Sequence, residues 1–395
     1  MAIYLDHAAT TPLRPEVLDA MLPYLSEHHG NPSSIHGSGR RARLGLDEAR
    51  ETVARLLGAK PREIVFTGGG TESDNLAIKG AAWASSARGR RIVTSSVEHK
   101  AVMHSCALLE RYGFEVTYLP VDRYGRVDPA DVASAITDHT TLVSVMYANN
   151  EVGTVQPIRE IGSICRERKV LFHVDAVQAA AFLPLDVNAL QVDLLSLAGH
   201  KLYGPKGVGA LFVRQGTALL PQLSGGSQER QRRAGTENVA GIVGFARALE
   251  LIQGDAAARE ADNKRQARLR ELLFDGLLAI PGVTATGHRI DRLPNSASFV
   301  LDGIEGGDLV AALDLEGIEA STGSACTTGS AEPSHVLLAM GIDVERAHGS
   351  LRLTVGRGTT AEEVERAIEV IGRVAQRMRG SAVEEPASPT AATPA

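Results

Sequence analysis

Between residues 63 and 174 short apolar runs alternate with stretches of helical periodicity, and this alternation restricts the fold more than any other feature of the chain. Strands are expected at 63–66, 91–95, 114–119, 142–147 and 170–174, with helices at 72–85, 99–112, 129–136 and 158–168 between them. Strands separated by helices cannot pair as hairpins; they form a mainly parallel sheet covered on both faces. In such sheets ligands sit beyond the carboxyl ends of the strands. The chain therefore reads as α/β, and its strand-end loops are the places to look for chemistry.

Those loops are unusually polar. Gly68-Gly69-Gly70-Thr71 passes from strand to helix and offers free backbone amides to an anion, most simply a phosphate. It has neither the spacing of a P-loop nor that of a dinucleotide fingerprint. Ser95 to Lys100 places His99 at a helix start, where it can stack on a ring, move a proton or cap the helix in solvent. Asn149 and Asn150 follow the strand expected at 142–147. Asp175 follows directly on an apolar run, and a carboxylate there needs a cationic partner, which a protonated pyridine nitrogen would provide.

The fifth loop belongs to V-D-L-L-S-L-A-G-H-K-L-Y-G-P-K-G-V-G, residues 192–209. Two apolar runs, 194–197 and 210–213, read as buried strands, and the glycines between them allow tight turns. Lys201 stands at the end of the first. It is either an ordinary loop lysine or one whose desolvated amine is nucleophilic enough to form a Schiff base. The company of four other polar strand-end loops favours the second.

Downstream, a Gly- and Arg-rich stretch at 224–238 precedes one long helix expected to end near residue 273 and to bridge toward a second unit. From residue 282 the pattern becomes α+β. The segment S-T-G-S-A-C-T-T-G-S, 321–330, has no apolar face and reads as an exposed loop presenting Cys326 as an accessible thiol. Arg352 lies in a strand expected at 349–353 and suits either a surface ion pair or a carboxylate clamp. The expected division is a large domain at 15–260, a smaller one from 1–14 and 261–380, and a disordered tail at 381–395 rich in Ala, Pro, Ser, Thr and Glu.

Composition excludes several function classes. A net charge of −6 leaves no basic footprint for nucleic acid or an anionic membrane. No apolar run approaches the about 20 residues that cross a bilayer. The three cysteines, 106, 165 and 326, are widely spaced, which argues against a disulfide framework and for a reducing, cytoplasmic setting. The histidines show no metal-binding spacing, so no metal is expected.

Taken together, Y-L-D-H-A-A-T-T, G-N-P-S-S-I-H, G-T-E-S-D-N, E-H-K-A-V, N-N-E-V-G, H-V-D-A-V-Q, G-H-K-L-Y-G-P-K-G and S-T-G-S-A-C-T-T-G-S-A-E-P-S-H-V-L resemble the cysteine desulfurases. These are pyridoxal-phosphate (PLP) enzymes of fold type I, the aspartate-aminotransferase-like fold, grouped with the class V aminotransferases. The cysteine segment is similar to the long-loop group. The resemblance implies that Lys201 holds PLP covalently and that His99 stacks on its ring and takes part in proton transfer. It pairs Asp175 with the ring nitrogen and Gln178 with the phenolic oxygen. Gly70, Thr71 and His200 would hold the phosphate, joined by Thr236 from the neighbouring subunit of a homodimer. Asn150, also a cofactor contact, and Arg352 would hold the substrate carboxylate, with Asn31 nearby. Cys326 would take sulfur from L-cysteine as a persulfide, leaving L-alanine, and pass it to an acceptor protein for iron–sulfur cluster assembly or tRNA thiolation. One position departs from the pattern: two residues before His200, where a phosphate-binding serine is common, stands Ala198. A selenocysteine lyase or another PLP lyase of this fold is the alternative enzyme; a non-catalytic scaffold is the alternative outside catalysis.

Overall fold

The computed structural model describes residues 2–323 and 332–383. Ile3–Tyr4 forms β1. The large sheet is built from β2 (Ile64–Thr67), β3 (Arg91–Ser95), β4 (Glu115–Leu119), β5 (Thr140–Ser144), β6 (Leu171–Asp175), β7 (Leu194–Ala198) and β8 (Gly209–Val213). Their spatial order is β2-β8-β7-β6-β5-β3-β4, and β8 alone runs against the rest. The sheet is mainly parallel, as the alternation of strands and helices requires. Strands β2, β5, β7 and β8 are buried at every position, which only a sheet covered on both faces permits. One apolar core, including Phe172, Phe212 and Phe245, lies on one face. A second, including Leu76, Ile92 and Leu211, lies on the other under the helix Gly70–Ala84.

A further core gathers Leu5 with residues from Leu269 to Ala375 around an antiparallel sheet of β9 (Val283–Ala285), β10 (Ser296–Leu301) and β12 (Ser350–Thr354). Beside it, β1 pairs in parallel with β11 (Ile318–Glu319). The chain start is thus stitched into the C-terminal part of the molecule, and the Ala8 amide reaches Thr354 Oγ1 at 2.9 Å.

Four expectations need correction. The long helix after Asn238 is two helices, Val239–Gln253 and Ala256–Leu278, because Gly254 ends the first and the Asp255 carboxylate caps the second through the amides of Ala257 and Ala258. The sequence pattern leads to a turn-rich loop at 30–40 and a charged amphipathic helix at 41–57, but the helix begins at Gly37, inside that loop, with His36 Nδ1 accepting from the Gly39 amide. The ladder of β5 spans Thr140–Ser144 instead of 142–147, although Val145 and Tyr147 continue to donate to β6 carbonyls at 3.2 and 2.8 Å. Finally, the last helix runs Ala361–Val383, so 381–383 belong to it; the rest of the expected tail, 384–395, lies outside the described residues.

Candidate active site

The carboxyl ends of β2, β3, β5, β6 and β7 open onto one cavity of about 1020 Å³. Residues from all five strand-end loops line it, among them Gly70, His99, Asn150, Asp175 and Lys201. Ala8, Ala9 and Thr10 from the chain start and Gly323 and Arg352 from the C-terminal part close it from the other side.

Lys201 ends a 3-10 turn, Gly199–Lys201, immediately after β7. Its Nζ donates to the Ala9 carbonyl at 2.7 Å and also to the Ala8 carbonyl. The turn is tied to the chain start: Thr11 donates to the His200 carbonyl through both its amide and its hydroxyl, at 3.0 and 2.9 Å. Gln178 Nε2 binds the Ala8 carbonyl at 2.9 Å, so one extended segment aligns two wall residues. His200 Nδ1 lies 3.3 Å from Thr10 Oγ1, and burial first, then the nearby Lys201 and Lys206 charges, lower its pKa to about 4. Its imidazole is therefore neutral at pH 7.

His99 is the N-cap of the helix Lys100–Glu110, where its Nδ1 accepts from the Ala101 amide at 3.1 Å. An accepting Nδ1 places the ring hydrogen on Nε2. Asp175 ends β6, and its Oδ1 accepts from the Val177 amide at 2.9 Å. Burial raises its pKa, against the opposing effects of His99, this hydrogen bond and Lys201. A buried carboxyl so placed is stabilised further by any cation that enters the cavity.

The helix Gly70–Ala84 begins at the cavity without a side-chain cap, which leaves its N-terminus to an anion. Gly70 is required there: a Cβ would meet Val177 Cγ2 at 2.7 Å. Thr71 follows it on the cavity wall, and Ala198 faces the same corner. Arg352 is 3% exposed. Its Nη2 pairs with Asp6 Oδ1 at 2.7 Å, while Nη1 donates to the carbonyls of Asn150 and Gly323 at 2.9 and 3.3 Å. Arg352 is thus no surface residue but part of the cavity wall.

Of the residues singled out in the sequence, Gly70, Thr71, His99, Asn150, Asp175, Gln178, His200, Lys201 and Arg352 meet at this cavity. Asn31 and Thr236 are not among its lining residues; both are exposed, and Asn31 Oδ1 accepts from the Ser33 amide. Cys326 lies outside the described residues. The start of its segment differs from the expected exposed loop: Ser321 is 4% exposed and forms a β-bridge with Arg352. Sequence reasoning passed over Asp6, Thr10 and Asp74. Asp6 and Asp74 stood inside quoted motifs, but their partners come from elements far away in the chain. Among the described residues no group of three or more His, Cys, Asp or Glu is placed to hold a metal, and no helix is long and apolar enough to cross a membrane.

The family model "Aminotransferase class-V" matches residues 3–367. The chain belongs to the class V aminotransferase family. Its relatives include a protein of Methanosarcina thermophila named cysteine desulfurase IscS, 53% identical over 96% of this chain and 93% of that protein. Among solved structures, one titled NifS-like protein superposes with a TM-score of 0.89 at 38% identity, covering 95% of this chain and all of that one. Another, titled SspA in complex with cysteine, gives 0.79 at 37% identity over 89% of this chain and 98% of the other. The class V aminotransferases share PLP fold type I, and this chain has that fold.

Proposed function

We infer that this chain is a PLP-dependent cysteine desulfurase that converts L-cysteine to L-alanine. The observation that carries the reading is the convergence on one cavity of an amine, a buried carboxyl, an imidazole and a guanidinium beside an uncapped helix N-terminus. That donor set fits PLP. Lys201 supplies the amine for its aldehyde, Asp175 the counter-charge for its ring nitrogen and Gln178 a contact to its phenolic oxygen. Gly70, Thr71 and the neutral His200 supply a phosphate cradle at the head of the helix. Asn150 borders both cofactor and substrate.

When bound, PLP acts as an electron sink that weakens the Cβ–Sγ bond of the amino acid attached to it. The protein does the rest. Arg352 and Asn150 hold the substrate carboxylate and so fix which bonds face the cofactor. Lys201 removes the Cα proton. His99, with its hydrogen on Nε2, donates or takes a proton on the ring face. Cys326 attacks the substrate sulfur as a thiolate: an S–S bond forms, the C–S bond breaks with its electron pair going to carbon, and protonation releases alanine. A free thiol of pKa about 8.5 needs a proton acceptor for this near pH 7.

We assign the persulfide on Cys326 to delivery, to an iron–sulfur scaffold or another sulfur-acceptor protein, in the cytoplasm. The working unit is a homodimer in which Thr236, exposed on its own subunit, reaches the neighbour's phosphate. The separate apolar cores support a large domain at 15–260 and a small one from 1–14 and 261–380.

The test is direct. Purified protein incubated with PLP is expected to turn yellow and to yield alanine and sulfide from L-cysteine with a thiol reductant. Cys326→Ala should keep the colour and lose sulfide release; sulfide at the parent rate would remove Cys326 from the reaction. A protein that stays colourless would overturn the cofactor assignment itself.

A further inference from the structure

The loops that bring His99 and Asn150 to the cavity leave adjacent strands, β3 and β5, which pair in parallel as far as Thr94 and Ser144. Past that pair, side chains carry the connection. Glu98 makes one link: its Oε1 accepts from the Met146 amide at 2.9 Å and from the Ser95 hydroxyl at 2.5 Å. Asn149 makes the other. Its Nδ2 donates to the carbonyl of Val97, two residues before His99, at 2.9 Å and lies 3.4 Å from Met146 Sδ. Its Oδ1 accepts from the amides of Glu151 and Val152 at 2.8 and 2.9 Å. The Asn149 amide donates to the Thr154 carbonyl at 2.9 Å, and its carbonyl accepts from the Gly153 amide at 3.1 Å.

Asn149 is 1% exposed and is not among the residues that line the cavity, so it acts on a bound molecule only through its neighbours. The orientation of its amide follows from its partners. Two backbone N–H groups meet one atom, which must be the oxygen, so the NH2 group faces Val97. A carboxylate could hold the turn but could not donate to Val97 when ionised, and a serine hydroxyl is too short to do both. The turn has a consequence at the cavity. Drawing the Glu151 and Val152 amides inward sets Asn150 on the wall, where its carbonyl accepts from Arg352 Nη1 at 2.9 Å. One end of the Asn149 side chain thus shapes the proposed carboxylate clamp. The other end holds the peptide that leads to His99, whose ring accepts in turn from the Ala101 amide at 3.1 Å. Val97 and Val152 are both fully buried, in one apolar cluster with Val336 and Leu337. Water cannot replace a bond lost there.

We propose that Asn149 is a positioning residue that sets the spacing between the carboxylate clamp, Asn150 with Arg352, and the proton carrier His99. The proposal rests on the reading of the cavity as that of a PLP-dependent cysteine desulfurase. Holding the substrate carboxylate needs only the clamp. Proton transfer needs the clamp and His99 in register, and a small displacement between them costs rate more than affinity. The two ends of the Asn149 side chain therefore have separable effects. The oxygen supports binding through the turn, and the nitrogen supports the rate through Val97.

The experiment measures kcat and KM for L-cysteine on the PLP-loaded enzyme, with alanine as the product followed and folding checked by circular dichroism. Asn149→Ser keeps an oxygen for the turn but cannot reach Val97, so kcat should fall about tenfold while KM stays within about twofold of the parent. Asn149→Ala loses the turn as well, and KM should rise about fivefold in addition. In a His99→Gln background, Asn149→Ser should lower kcat by no more than about twofold, because the group it positions is gone. An Asn149→Ser enzyme with the parent's kcat would overturn the proposal. A loss of about tenfold repeated in the His99→Gln background, as a merely structural role would give, would also overturn it. Should Asn149→Ala fail to fold, Asn149→Ser decides, alone and combined with His99→Gln. A parent protein that makes no alanine from L-cysteine would instead sink the reading of the cavity, a separate result.

Discussion

Arg352 and Asp6 form a 2.7 Å ion pair in the cavity wall, joining a strand near the C-terminus to the sixth residue of the chain. Arg352 is nearly inaccessible, whereas the Asp6 side chain is 19% exposed. The guanidinium is thus oriented before any substrate carboxylate arrives, and its Nε is a buried donor with no partner among the described residues. Arg352→Lys keeps the charge but loses the planar fork, so kcat/KM for L-cysteine should fall about 100-fold, an effect of about 3 kcal/mol. Removing Asp6 acts differently. Asp6→Ala leaves a buried cation without its carboxylate, which should cost about 1–3 kcal/mol of stability and lower the thermal midpoint. Steady-state kinetics and calorimetry on the two variants separate binding from scaffolding; equal losses of both properties in both would contradict this division.

Gly70 makes a sharper prediction. A methyl group there would stand 2.7 Å from Val177 Cγ2, closer than real side chains approach. Gly70→Ala must push the helix head or Val177 aside, and both border the proposed phosphate cradle. PLP dissociation should become about tenfold more favourable, a change of about 1.4 kcal/mol. Equilibrium dialysis reads this, and unchanged retention would place the phosphate elsewhere.

The opposite change is expected at Ala198. The Cβ of Ala198 is 3.4 Å from where a Gly70 Cβ would stand, so an added hydroxyl at 198 can face the helix head. Ala198→Ser should tighten PLP by about 1 kcal/mol, roughly fivefold. If the variant binds PLP no better, this corner does not contact the phosphate.

What the sequence made legible follows from the range of each interaction. Lys201, His99 and Asp175 were visible because a strand, a turn and a polar residue are neighbours in sequence, and the strand-end rule supplies the rest. The parallel sheet was visible for the same reason. Asp6 was not, because its partner Arg352 lies 346 positions away. Asp74 was not, because a carboxylate in the first turns of a helix ordinarily faces solvent and caps or complements the helix dipole. Its burial depends on Ser196 and His173, which only the folded sheet brings beneath it. The break at Gly254-Asp255 is a local signal that the continuous helical periodicity around it outweighed.

Buried histidines set the acid limit of stability. His173 ionises with a pKa of about 3 in the folded chain against 6.5 when free, because burial disfavours its charge. His7 is lowered to about 4 for the same reason. The unfolded chain therefore binds protons that the folded one refuses, so these groups make stability fall as pH drops from 6.5 toward 4. Glu98 works the other way: burial raises it from 4.5 to about 8, so its contribution is complete below pH 4.5 and fades as pH rises through 8. Denaturant unfolding at pH 7, 6, 5 and 4 should show the acid decline, and His173→Gln should make it shallower. An identical slope in that variant would mean His173 is protonated in the folded state.

The last prediction concerns the segment that bears Thr236. Glu229, Arg230 and Gln231 all adopt left-handed backbone angles, with φ of 46°, 57° and 65°. Each such residue stores about 1–3 kcal/mol unless its surroundings hold it. What holds this run is Glu229: its carboxylate grips Arg50 through two hydrogen bonds of 2.6 and 2.8 Å and accepts the Phe66 amide at 3.0 Å, all buried. Arg50 in turn lies over the Phe66 ring, at 4.7 Å from its centroid. Glu229→Gln leaves the Arg50 charge buried without an ionised partner and should cost about 3–5 kcal/mol. With its anchor weakened, the run should relax toward ordinary backbone angles and carry Thr236 with it. PLP affinity should then fall together with the thermal midpoint, although Glu229 lies outside the main cavity. A Glu229→Gln protein that loses stability yet keeps PLP as tightly as the parent would detach Thr236 from cofactor binding.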